Sequence, residues 1–210
     1  MKKIVIALMC TILATGAVSA QKKFTFGPKV GFDFTNYWGK DVEHGGQLNY
    51  QIGAFMEYRL TDKFSVAPEV VFAAQGGKYD KTTAGVTFKE TDHINYINVP
   101  VMLKFYVVPS LSIDFGPQLG INVYSKTTSE LKAGNNGDKK TTDLKDFTKT
   151  VDFGVGIGLT YNITNDVFVQ GRYTMGLTKV FDNKESFILE ALGFDKPKNS
   201  NAQISIGYRF

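Results

Sequence analysis

Cysteine is nearly absent: Cys10 is the only one in 210 residues, and it lies in an amino-terminal segment expected to be removed. Disulfides and thiol chemistry are therefore excluded from the mature chain. Histidine occurs only as His44 and His93, which leaves little material for imidazole catalysis or metal ligation. Charge of one sign is also short. Lys2 and Lys3 leave with the amino-terminal segment, so the formal charge of +4 falls to +2, too little to favour nucleic acid. Beyond residue 20 no run approaches the roughly eighteen apolar residues that a helical membrane span needs. If this chain crosses a membrane, it does so with strands.

The segment 1–20, MKKIVIALMCTILATGAVSA, has two lysines, an apolar run from Ile4 to Leu13 and small residues ending at Ala20. It is expected to be a signal peptide cleaved after Ala20, leaving 21–210 as one barrel domain. Cys10 sits inside the apolar run behind the bulky Met9, the wrong setting for a lipoprotein cysteine.

What the chain has in abundance is alternation. In VDFGVGIGLTY, Val151, Phe153, Val155, Ile157, Leu159 and Tyr161 alternate with Asp152, three glycines and Thr160. This is the period-two signature of a strand with one greasy and one polar face. After NITND the pattern resumes in VFVQGRYTMGL, so the two runs form an antiparallel hairpin. Similar runs start at Phe24, Leu48, Phe64, Ile97, Leu111 and Ala202, which makes eight. Short turns at 61–63, 108–110 and 162–166 alternate with long polar segments at 35–46, 76–92, 125–149 and 178–201, all expected to be loops. Eleven residues tilted near 40° rise about 28 Å, the thickness of a hydrocarbon core. The expectation is an all-β fold: an eight-stranded antiparallel up-and-down transmembrane β-barrel with its long loops extracellular.

Period two does not say which phase faces out, because a soluble barrel would turn the same apolar phase inward. The apolar phase contains no charge. The opposite phase carries Lys29, Arg59, Lys104, Arg172 and Arg209 against Asp33, Glu57, Glu69, Asp114 and Asp152, five of each sign. Such a set can neutralise itself in a narrow lumen. Phe24, Phe26, Tyr58, Phe64, Phe105, Tyr161, Tyr208 and Phe210 gather near the short-turn end, as an interfacial girdle would. The apolar phase is therefore expected to face lipid, with the ten ionisable groups forming a lumen network.

With FGPKVGFDF, YINVPVMLKFY, DFGVGIGLTY, GRYTMGL and a terminal GYRF, the mature chain resembles the PorT-like outer-membrane β-barrel family of Gram-negative bacteria. The resemblance implies an outer-membrane location, lipid neighbours, and Phe210 as an aromatic carboxy-terminal signal for the barrel assembly machinery. It also implies that accessory work in protein secretion is one of the roles open to the chain, beside partner binding or envelope integrity through the loops.

Catalytic and cofactor signals are thin. A lipid-modifying barrel enzyme would need a histidine with a nucleophile or acid near the outer rim, and His44 and His93 are the only candidates. No catalytic residue is assigned. Gly154, Gly156 and Gly158 do not have nucleotide-loop spacing, and are read as inward glycines making room for Tyr124 or Phe168. Asp138, Asp143 and Asp146 stand among lysines without calcium-loop spacing. No cofactor, metal or nucleic acid is expected. The last loop is of a different kind. DNKESFILEALG, from Asp182 to Gly193, offers a cap, an acidic first turn and a glycine stop, so a short helix is expected there. Phe187, Ile188, Leu189, Leu192 and Phe194 would form its apolar surface, either binding an envelope or secretion protein or covering the barrel rim.

Overall fold

The computed structural model describes residues 23–38, 46–83, 86–133, 136–143, 149–179 and 198–210. Signal segment 1–20, His44 and the expected helix at 182–193 all lie outside the described residues. In chain order the strands are β1 (Phe24–Trp38), β2 (Gln47–Arg59), β3 (Phe64–Gln75), β4 (Lys78–Thr83), β5 (Val86–Val108), β6 (Leu111–Ala133), β7 (Asn136–Asp143), β8 (Val151–Asn162), β9 (Val167–Lys179) and β10 (Lys198–Tyr208). Eight of them, β1, β2, β3, β5, β6, β8, β9 and β10, pair antiparallel in succession. The ring closes where β10 returns to β1, from Lys29 opposite Gly207 to Trp38 opposite Lys198.

The wall is apolar outside because the alternation leaves it no other choice. Phe32, Tyr50, Val70, Phe115, Ile157 and Ile204 are each more than half exposed, while Lys29, Asp33, Glu57, Glu69, Asp114 and Arg172 are buried in the interior. A one-residue slip in any strand would exchange these sets. At the short-turn end the rings of Phe24, Phe26, Phe210 and Tyr208 follow one another at centroid spacings of 5.1–6.1 Å, and Phe64 meets Phe105 at 5.2 Å. This belt stands where bilayer and water meet.

The closing seam depends on glycine in β1, at Gly31 and most tightly at Gly27. A Cβ on Gly27 would collide with the carbonyl oxygen of Tyr208, so no larger residue fits without moving β1 off β10. Gly27→Ala is expected to cost about 1–3 kcal/mol by overpacking. The check is the temperature at which the folded, fast-migrating gel band is lost. Gly171→Ala, where a Cβ meets nothing within 4 Å, should leave that temperature unchanged.

Two expected loops are strands over most of their length. Segment 76–92 holds β4 and the start of β5; segment 125–149 holds the end of β6 and β7. The pairing β4–β5–β6–β7 continues the barrel wall as a four-stranded sheet beyond the ring. Its stabilising pattern is charge rather than grease. Glu130 stands opposite Lys89 on one side and Lys139 on the other, and Lys126 faces Asp143. Opposite charges and threonine pairs across strands support a sheet wet on both faces, and hydrophobic alternation does not register them. β5 and β6 have 23 residues each, a contour of about 75 Å at roughly 3.3 Å per residue. Among the described side chains their exposed apolar residues stop at Ile97 on β5 and at Tyr124 on β6, apart from Leu131, so the upper part of each stands clear of lipid.

A bulge marks that border. Asn95 pairs with Tyr124 and Tyr96 with Asn122, which leaves Val123 unmatched and reverses the phase of β6 above it. Tyr124 therefore points outward, 41% exposed, with the Lys126 ammonium 5.2 Å from its ring centre. The glycines of β8 do not make room for Tyr124, nor for Phe168, whose ring lies where a Cβ on Gly207 would be. Gly156 faces the Thr174 hydroxyl, Arg172 and Met102, and Gly158 faces the Gly171 carbonyl and Arg172.

Candidate functional site

The lumen is built by the inward phase of every ring strand, and seven of its ten ionisable groups form one connected system. At mid-height Glu69 from β3 receives Arg172 from β9 in a two-pronged contact, Nη2 to Oε1 at 2.5 Å and Nη1 to Oε2 at 3.1 Å. Lys29 from β1 donates to the same Oε2 at 2.8 Å and to Gln170 Oε1 at 2.8 Å. The Gln170 amide donates to Asp114 Oδ2 at 3.1 Å; Ser112 and Thr160 donate to Asp114 at 2.6 and 2.5 Å. Lys104 bridges downward, 3.8 Å from Asp114 and 3.6 Å from Glu57. Glu57 accepts from Ser65 at 2.8 Å and from the Tyr106 hydroxyl, and has Arg209 at 3.8 Å. Charged groups taken out of water survive only with such partners.

Three of the ten ionisable residues stand apart. Arg59, at the short-turn mouth, lays its guanidinium over the Tyr106 ring at 4.1 Å and makes no ion pair among the described residues. Asp33 is fully buried beside Asn201, with no well-formed hydrogen bond to either oxygen. Asp152 sits higher, accepting from Asn199 at 2.7 Å and from the Thr178 hydroxyl. Sequence reasoning limited to charges missed the neutral members: Ser65, Tyr106, Ser112, Thr160 and Gln170 complete the network. They lie on the same inward phase, so alternation would have found them.

The lumen is filled. Phe55 and Phe168 meet edge to face at 5.0 Å across it, with the Lys104 ammonium 5.7 Å and the Arg209 guanidinium 4.7 Å from the Phe168 ring centre. The cavity beside Gln118, Asp152 and Asn201 is about 10 Å³, room for no more than one water. Two larger spaces lie at the ends. At the short-turn mouth a cavity of about 430 Å³ is lined by Lys23, Glu57, Arg59, Tyr106, Arg209 and the turn residues 109–110 and 162–165. At the far end about 290 Å³ lies against the projecting sheet, beside Lys78, Lys89, His93, Glu130 and Lys139.

Neither end assembles catalytic groups among the described residues. His93 is exposed on β5 opposite Lys126, with no hydrogen bond to an acid or hydroxyl side chain. Asp143 pairs in register with Lys126, Asp138 stands opposite Leu131, and Asp146 lies outside the described residues, as do Phe187, Ile188, Leu189, Leu192 and Phe194. Among the described residues no group of acids or histidines is placed to hold a metal ion.

A closed antiparallel ring of eight strands, lipid-facing outside and charged within, defines a small outer-membrane β-barrel protein. The chain belongs to the family described as outer membrane protein beta-barrel domain, whose profile matches residues 19–182, and its location is the outer membrane. No curated protein matches the chain. Among solved structures it is similar to Ail, the attachment invasion locus protein of Yersinia pestis, at 10% identity and TM-score 0.46, covering 90% of this chain and 99% of that one. Neisserial surface protein A is similar at 13% identity and TM-score 0.43, covering 89% and 97%. A major outer membrane protein from Thermus thermophilus is similar at 15% and 0.49, covering 89% and 99%.

Proposed function

We propose that this protein is a non-catalytic barrel, closed to solutes, that serves as a rigid mount for an extracellular contact surface. The observation that carries this reading is the continuation of β5 and β6 from the membrane wall into the β4–β7 sheet without a flexible joint. A hydrogen-bonded sheet holds its side chains in fixed register and so presents a surface at low ordering cost. Phe187, Ile188, Leu189, Leu192 and Phe194 of the last loop would supply an apolar part of the same surface. Outer-membrane lipids surround the barrel, the assembly machinery handles it during biogenesis, and the contact partner is an envelope protein. An accessory role in secretion is one case of such contact, and a crosslink to a secretion component would select it.

Replacing 78–92 and 126–149 by short turns tests the mount. The barrel should keep its heat-resistant gel band, with stability within about 1 kcal/mol of the wild type, because these strands bury little apolar surface. Crosslinks to envelope proteins in intact cells should disappear. Unchanged crosslinks would sink the proposal. So would steady single-channel conductance of the purified wild-type barrel in a planar bilayer.

A further inference from the structure

The lumen charges do not balance toward the short-turn end. The connected network contains four cations, Lys29, Lys104, Arg172 and Arg209, against three carboxylates, Glu57, Glu69 and Asp114. Arg59 and Lys23 add two more cations at the mouth, and among the described residues that line its cavity Glu57 is the only acid. Glu57 is already committed, one oxygen to Ser65 and Tyr106 and the other to Lys104 and Arg209. Arg209 Nη2 is buried and has no hydrogen-bond acceptor, its contact with Glu57 being a 3.8 Å ion pair. Arg59, half-buried on the Tyr106 face, has no ion pair among the described residues. Two guanidinium groups thus flank a polar cavity of about 430 Å³, in the size range of small-ligand sites.

From this arrangement we infer that the short-turn mouth is a binding site for an oxyanion, a carboxylate or phosphate group borne by a small periplasmic molecule. Arginine presents a planar fork that matches both groups, and a partly desolvated site strengthens the contact. The cavity opens inside the circle of turns, on the side that faces the periplasm in barrels of this class. Bilayer headgroups, which lie outside that circle, are not its occupants. Ser110, Thr164 and Asn165 at the rim supply neutral hydroxyl and amide groups around the charged floor.

Calorimetric titration of the folded, detergent-solubilised barrel tests the site with three probes: inorganic phosphate, a tripeptide with a free carboxyl terminus, and the same tripeptide amidated. Saturable binding of phosphate, or of the free tripeptide but not the amidated one, supports the site and tells the two anion sources apart. Arg59→Gln should weaken that binding by about tenfold or more, the value of one charge-assisted hydrogen bond. Arg59 also packs on Tyr106, so Lys23→Glu serves as a second variant. Lys23 is exposed, and a carboxylate there competes with the ligand without touching the packing. It too should weaken binding about tenfold. Lys139→Gln, at the opposite end of the molecule, should change nothing. The inference is overturned if neither anion binds, if the amidated peptide binds as well as the free one, or if Lys139→Gln weakens binding as much as the mouth variants.

Discussion

Replacing Glu69 by alanine is expected to destabilise the folded barrel by about 3–5 kcal/mol, the cost of leaving buried cations without their counter-charge. Glu69 is the only carboxylate within ion-pair distance of either Lys29 or Arg172 among the described residues, and all three side chains are almost wholly buried. Without it Lys29 keeps only the Gln170 carbonyl, and the two cations face each other across the vacated space. The measurement is a urea series read by the shift between folded and unfolded gel bands. A second variant separates pairing from mere filling of space. Lys29→Met, Glu69→Met and Arg172→Met made together remove every charge of the cluster at similar volume, and should restore stability to within about 1 kcal/mol of the wild type, or above it. If Glu69→Ala costs less than about 1 kcal/mol, as an exposed pair would, the lumen is wet and the network does not tie the wall together.

Ile157→Arg is expected to cost about 2–4 kcal/mol in a bilayer. Ile157 is 56% exposed on the outer face, in the middle of β8, between Phe115 on β6 and Tyr173 on β9. An arginine there has no lumen partner to reach and must carry its charge to the interface through hydrocarbon. Val151→Arg, also outward but at the end of β8, should cost only about 0–1 kcal/mol because its charge reaches headgroups and water. Refolding into lipid vesicles, followed by protease protection, measures both. Equal folding of the Ile157→Arg variant and the wild type would show that this face meets water.

The ring was legible because lipid leaves no freedom. Every spanning strand must put grease on one face, so Val151, Phe153, Ile157 and Leu159 declare β8 without further help, and the same holds for all eight wall strands. The projecting sheet was illegible for the complementary reason. Where both faces are wet, Lys89, Thr91, Thr128, Glu130 and Lys139 look like any solvated loop, and the cross-strand charge order that makes them strands appears only when the register is known. The Val123 bulge defeated the phase of Tyr124 in the same way, since an extra residue of a strand is visible only against its partner. Lys29, Glu69 and Arg172 meet inside the barrel from strands far apart in the chain. Alternation placed them on the inner face, but only the ring brought them into contact.

The seam between β1 and β10 has a kinetic consequence. Ring neighbours elsewhere follow one another closely along the chain, so their pairing is local. Phe34 and Ala202, paired across the seam, come from opposite ends of the chain. Closing a loop of that length costs roughly 4–5 kcal/mol of chain entropy before any seam bond repays it. Seven junctions of the wall can therefore zip up one after another while the last one waits, and until it forms the ribbon carries two bare edges able to pair with another chain. The slow and aggregation-prone moment in the life of this molecule is the meeting of its ends, where the Phe210 amide finally donates to the carbonyl of Phe26 at 2.8 Å.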